Sequence, residues 1–382
     1  MKIALPGAAG HLSDYQLTGT PILPATLGQN PARVVYSAAH VVADPFAQTE
    51  PAGKAAVDWS STLAFRRYLA GMGLGIAEAM DTAQRGMGLD WTGALELIRQ
   101  TRLELPDALV ANGCGTDHLD QSAVHSLDEV RRAYLMQVEA IQSLGGRIIL
   151  MASRALVRAA RGPDDYIRLY ADVLAACDQP VILHWLGAMF DPALAGYWGA
   201  ATFEAALETV LSVINCNVAK VDGIKISLLD ADKEIALRRR LPATVRMYTG
   251  DDFNYPELMQ GDAQGYSHAL LGIFDPLAAA AADAVTRLGA GDVAGFRGVL
   301  DPTVPLARLI FRAPTQNYKT GVVFMAWLNG HQDHFIMLNG AQALRPMPYF
   351  TEIFRLADGC GLLADPELAV DRMRRFLAVY GV

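Results

Sequence analysis

Charge is scarce in this chain: only 19% of its 382 residues are Asp, Glu, Lys or Arg, against about 25% in ordinary globular domains. That shortage excludes a disordered, solvated chain. Hydrophobic residues make up 52% and mean hydropathy is +0.19, a surplus to be buried in a large core and between subunits, so a homo-oligomer is expected, dimer or tetramer by default. Positive charge is in deficit as well. Against 40 Asp and Glu stand 32 Lys and Arg, a net charge of −8, with no basic tail, which excludes nucleic acid and anionic membrane as partners because both need a basic field. The four cysteines, at 114, 177, 216 and 360, contain no Cys-x-x-Cys pair. Neither a disulfide framework nor a cysteine zinc cage is therefore expected, and reduced thiols in a cytoplasmic protein are the simplest reading. Long apolar runs are missing too. MKIALPGAAG is broken by Pro6 and Gly7 and is too short for a secretory signal. Residues 270–285 are interrupted by Asp275, Pro276 and Asp283, so no transmembrane helix is expected. There is no internal repeat, low-complexity tract or obvious linker.

What is present is alternation. In residues 1–30, Gly7, Gly10, Gly19, Pro21 and Pro24 punctuate short apolar stretches, predicting a small β-hairpin. Strand-like runs then follow at 33–39, 75–80, 108–112, 147–152, 180–184, 221–226, 245–248 and 265–270. Between them lie amphipathic stretches such as 126–144, where Leu127, Val130, Tyr134, Val138 and Ile141 recur at helical steps and Ser126 with Glu129 forms a capping box. Repeated β-α units predict a parallel sheet. Eight of them, with no phosphate fingerprint at the first crossover, fit a (β/α)8 TIM barrel over 31–303 better than an open doubly wound sheet. Residues 304–382 read as a C-terminal helical subdomain.

A barrel places its active site at the C-terminal ends of its strands. There the run V-D-G-I-K-I-S puts Lys225 inside an apolar strand, where an ammonium is expensive. Two readings stand: an amine made neutral by desolvation, which is a carbonyl nucleophile, or a lysine salt-bridged to Glu78 or Asp251. Y-T-G-D-D-F-N supplies Asp251, read as substrate-facing, and Asp252, read as a helix N-cap. His184 ends the fifth strand, where a proton-transfer role competes with a structural one. Glu78, Asp81, Asn112, Cys114, Asp117 and His118 end the second and third strands. Ser153 and Arg154 end the fourth, and the arginine is a natural anchor for an anionic or polyhydroxy group. In N-G-H-Q-D-H-F, His331, Asp333 and His334 read as a polar helix connection more readily than as metal ligands. The runs GMGLG at 71–75 and GMG at 86–88 read as helix stops.

The order of these motifs resembles the class I aldolases related to dihydrodipicolinate synthase and N-acetylneuraminate lyase. The matching residues are P-V-I-L-H at 180–184, G-I-K at 223–225, Y-T-G-D-D at 248–252 with Leu258 and Met259, and A-P-T-Q-N-Y-K-T-G-V-V at 313–323. The resemblance implies a Schiff base on Lys225 and no cofactor. It also has departures. E-A-M-D-T-A-Q-R stands where the family has Gly-Thr-Thr-Gly-Glu, which holds the carboxylate of a pyruvate-type substrate; His184 aligns with a catalytic tyrosine; and Ile226 follows the lysine where the family has Asp. A divergent branch that binds pyruvate poorly is expected.

Together these readings predict a Schiff-base lyase or aldolase acting on a small oxo acid or a sugar-derived ketone. Lys225 is its nucleophile and His184 its proton shuttle, while Glu78, Asn112, Ser153, Arg154 and Asp251 bind substrate. A metal-dependent isomerase or hydrolase of a sugar-like substrate, with one ion held by Glu78, Asp117, His118, His184 or Asp251, is the alternative. A sugar-binding barrel without activity is a third.

Overall fold

The computed structural model describes residues 1–7, 10–48 and 53–382. The strands β1 (Lys2–Pro6) and β2 (Leu12–Gln16) pair antiparallel as a hairpin. Eight more follow: β3 (Val35–Ala38), β4 (Gly75–Glu78), β5 (Val110–Cys114), β6 (Arg147–Leu150), β7 (Val181–Leu186), β8 (Val221–Ser227), β9 (Arg246–Thr249) and β10 (His268–Leu271). They pair in parallel in chain order, and β10 returns to β3, closing the barrel. Each expected run overlaps one of these strands.

Alternation along the strands sorts their side chains between two cores. Tyr36, Ala38, Ala77, Ala111, Ile149, Ile182, Tyr248 and Leu270 fill the barrel interior. Their neighbours one step along, among them Ile76, Val110, Ile148, Leu183, Ile224 and Met247, join the clusters between sheet and helices. This is the period-2 rule of a pleated strand closed on itself. The rings of Tyr36 and Tyr248 meet edge-on at 6.0 Å. Gly223 makes room for the second of these: a Cβ there would lie 2.6 Å from the Tyr248 ring.

Among the intervening helices, Leu127–Ser143 begins with the expected Ser126/Glu129 capping box and buries Val130, Tyr134, Val138 and Ile141. The C-terminal helices include Val304–Ile310, Tyr318–Leu328, Met347–Gly359 and Pro366–Val379. Helix Tyr318–Leu328 is buried at every residue, and it brings its first turn to the barrel mouth. The hairpin docks on these helices, with the Tyr15 hydroxyl donating to Asp358 at 2.8 Å and the Thr18 amide at 2.9 Å. Among the described residues no helix is long and apolar enough to cross a membrane.

One packing detail has a measurable pH signature. Glu234, on helix Ala231–Arg238, is fully enclosed and accepts the Ser267 hydroxyl at 2.7 Å. Burial pushes its carboxyl up to about 8. The folded chain therefore holds a proton that the unfolded chain releases near pH 4.5, so this contribution to stability is present in acid and is lost as pH rises to about 8. Glu234→Gln is expected to flatten thermal stability between pH 5 and 8, where the wild type declines by up to a few kcal/mol at about 1.4 kcal/mol per unit. Parallel melting curves for the two proteins would show that Glu234 is ionised in the fold.

Candidate active site

Lys225 and His184 lie side by side on neighbouring strands, paired in register across β7 and β8. Both point inward by the alternation that puts Ile182 in the barrel core. Lys225 enters a chamber of about 10 Å³ whose walls include Asp81, Thr82, Ser227, Asp252, Phe311 and Tyr318. The roof comes from the C-terminal helices: Tyr318 stacks on Phe311 at 4.3 Å between ring centroids and shares a 2.8 Å hydrogen bond with Thr82. Gly250 is required beside them, because a Cβ there would lie 2.8 Å from the Lys225 Cε and 2.3 Å from the Ser227 hydroxyl.

The electrostatics follow from enclosure. Burial drives the Lys225 ammonium down from its ordinary range, and the charges of Asp252 and Asp81 resist that fall. Burial likewise pushes the Asp252 carboxyl up to about 7 against the pull of Lys225. The Ile273 amide donates to one Asp252 oxygen at 2.8 Å, which fixes the carboxyl in place. An acid raised and an amine lowered in one chamber have their proton affinities drawn together, which eases proton exchange between them. His184 is buried, with Nε2 3.3 Å from the Ser227 hydroxyl. Burial, and then the adjacent Lys225, holds its imidazole neutral, well below the usual histidine range.

A larger cavity of about 370 Å³ opens above, and Asp81, His184 and Leu186 line it next to the chamber. Its far wall carries Thr116, Asp117, Ser153, Arg154 and Asp191. Arg154 pairs with Asp191 at 2.5 Å. Arg85 holds Asp117 by two bonds of 2.7 Å and also donates to the Ala79 and Gly113 carbonyls and to Gln137. The volume suits a small molecule.

Residues 3–382 match the family model described as "Protein of unknown function (DUF993)". The chain belongs to that family. No curated protein sequence matches it. Among solved structures, the DUF993 chain is similar to YagE of Escherichia coli K12, a prophage protein of the dihydrodipicolinic acid synthase family in complex with pyruvate. Identity is 16%, coverage is 86% of this chain and 99% of that one, and the TM-score is 0.66. It is similar to dihydrodipicolinate synthase from Acinetobacter baumannii complexed with pyruvate, at 16% identity, 87% and 99% coverage and a TM-score of 0.62. It is also similar to dihydrodipicolinate synthase from Thermotoga maritima, at 14% identity, 87% and 99% coverage and a TM-score of 0.64. The DUF993 barrel thus shares the fold of the dihydrodipicolinate synthases.

Several expected site residues of this DUF993 protein lie elsewhere. Glu78 faces outward, one step from the inward Ala77. Both its oxygens bind Arg66, at 2.8 and 2.9 Å, and it also accepts from Thr101 at 2.6 Å and the Ala79 amide at 2.9 Å. Asn112 is also out of phase with the mouth, donating to the Arg147 carbonyl at 2.9 Å beside the opposite end of the sheet. The roles of the two aspartates are exchanged. Asp251 accepts from the Phe253 and Asn254 amides at 2.9 and 3.1 Å and from the Asn254 side chain at 2.8 Å, so it organises the turn, while Asp252 faces the lysine. Ser153 reaches the outer cavity, but it caps a helix at Leu156 and bonds Thr116 at 2.6 Å. Arg154 reaches the cavity as well.

The alternative metal set does not converge. Glu78 and Asp251 are held in the bonds just given, Asp117 by Arg85, and His118 by Gln137 at 2.8 Å. Among the described residues no three His, Cys, Asp or Glu side chains are grouped as metal ligands. His331 packs against Tyr68 and, edge-on, Phe65, at 4.5 and 5.0 Å between ring centroids, and Asp333 pairs with Arg372 at 3.3 Å; His334 accepts the Ile336 amide at 3.2 Å. Missed from the sequence were the chamber roles of Asp81, Asp252 and Tyr318.

Proposed function

We propose that this protein is a Schiff-base-forming carbon–carbon lyase, an aldolase of class I, acting on a small oxo acid or a sugar-derived ketone. The observation that carries this reading is a buried lysine, with its ammonium form disfavoured, sharing a small enclosed chamber with a raised carboxyl at the catalytic end of a barrel. In the scheme, the Lys225 amine attacks the substrate carbonyl, and Asp252 supplies the proton with which water leaves, giving an iminium. His184, neutral and beside Lys225, then takes the proton of the β-hydroxyl. The bond between the α and β carbons breaks, its electron pair flows into the iminium to make an enamine, and an aldehyde departs. Return of the proton to the α carbon and hydrolysis of the imine restore the lysine; condensation is the same path reversed. The imine is the electron sink, so the scheme calls for no cofactor. Arg154, Ser153 and Thr116 position substrate oxygens in the outer cavity.

A cytoplasmic homo-oligomer, dimer or tetramer, completes the proposal, supported by reduced cysteines and the apolar surplus. The decisive experiment is intact-mass spectrometry after borohydride reduction with a panel of oxo acids and ketoses. One substrate-sized mass gain, mapped to Lys225 by peptide analysis, is the expected result. An unchanged mass across the panel rejects the imine.

A further inference from the structure

Assuming the imine on Lys225, the cavity beside its chamber discriminates between the two substrate classes that such chemistry serves. A substrate carboxylate needs a cation free to receive it, and both described arginines that line the outer cavity are already paired with an acid. Arg85 is closed onto Asp117 and Arg154 onto Asp191. Lys319, buried beside Tyr318, feels Asp81 and donates to the Gln316 carbonyl at 3.1 Å. Lys225, the nucleophile, faces Asp252. Asp81 lines both the lysine chamber and the outer cavity, next to the position of any group adjacent to the reacting carbonyl. Its carboxylate makes no hydrogen bond or ion pair to another described side chain, so it is left as an acceptor.

We infer that the substrate is an uncharged polyhydroxylated ketone of the ketose class, with the hydroxyl next to its carbonyl received by Asp81, and not a 2-oxo acid. An ionised carboxylate accepts hydrogen bonds at both oxygens and suits a hydroxyl or a vicinal diol. In a poorly hydrated site it repels a second carboxylate placed within a few ångströms. The outer cavity continues the pattern: Thr116, Ser153 and Gln121 offer neutral polar groups along it. Arg154 is bound to Asp191 through Nε, which leaves its terminal amino groups as donors to substrate oxygens beside the Asp191 carboxylate.

The test compares two three-carbon probes, dihydroxyacetone and pyruvate, each reduced onto the wild-type protein with cyanoborohydride and followed by intact mass. Each rate is divided by that of a free lysine amine with the same carbonyl, which removes intrinsic reactivity. The expected result is a normalised preference for dihydroxyacetone of tenfold or more, with Asp81→Asn lowering it by at least tenfold while labelling still maps to Lys225. Pyruvate labelling equal to or faster than dihydroxyacetone labelling in the wild type overturns the inference and leaves the imine standing; the wild-type comparison needs no variant to fold. An unchanged preference in a folded Asp81→Asn protein also overturns it. No adduct with either probe or with any wider carbonyl panel removes the imine itself, and this inference with it.

Discussion

Lys225→Ala is expected to lower turnover by on the order of 10⁴-fold or more, since removing the attacking atom removes the covalent path and leaves only binding and orientation. Stability should not fall with it. The wild type bears the cost of enclosing an amine whose ammonium form is disfavoured by burial, and the alanine variant sheds that cost while Asp252, already raised by its own burial, takes its neutral form. A melting temperature equal to or above that of the wild type, together with loss of borohydride labelling, is the expected pair of results. Near-normal activity in this variant that a chelator abolishes would replace the imine with a metal-dependent reaction.

The second large effect concerns folding. Glu78→Ala would leave the Arg66 guanidinium buried with only the His40 and Thr62 carbonyls as acceptors, and would strip the Thr101 hydroxyl and Ala79 amide of theirs. Removing one partner of a fully enclosed ion pair costs about 3–5 kcal/mol, a large share of the 5–15 kcal/mol typical of a whole protein. Urea unfolding should show the free energy of unfolding lowered by that amount, while borohydride labelling of Lys225 persists wherever the variant is folded. A loss below about 1 kcal/mol would mean that water reaches Arg66.

The barrel was legible because each of its strands is a short apolar run bounded by turn residues and followed by a helical period. Lys225, His184 and Arg154 were legible from the strand-end rule alone. Position without phase, however, selected Glu78 and Asn112, which lie near the ends of the expected runs but alternate outward with Ile76 and Val110; counting inward from the alanines at 77 and 111 would have rejected both. Asp251 and Asp252 could not be separated that way, because alternation stops at Gly250 and a turn decides which carboxyl faces the lysine. The ring of Tyr318 was hidden for a different reason. It reaches the mouth from a helix far along the chain, and nothing local in A-P-T-Q-N-Y-K-T-G tells where that helix docks.

The roof of the lysine chamber ties reactivity to synthesis. The last barrel strand ends at Leu271, whereas the rings that cover Lys225 belong to Phe311 and Tyr318. A growing chain that has closed its sheet would still carry an open, hydrated lysine, which keeps ordinary basicity and stays protonated in water. Only when the late helices seat does the amine lose its water and its ammonium form become disfavoured. A copy without these helices would therefore hold Lys225 mostly as an ammonium, and the burial that disfavours this form comes only once Phe311 and Tyr318 are in place.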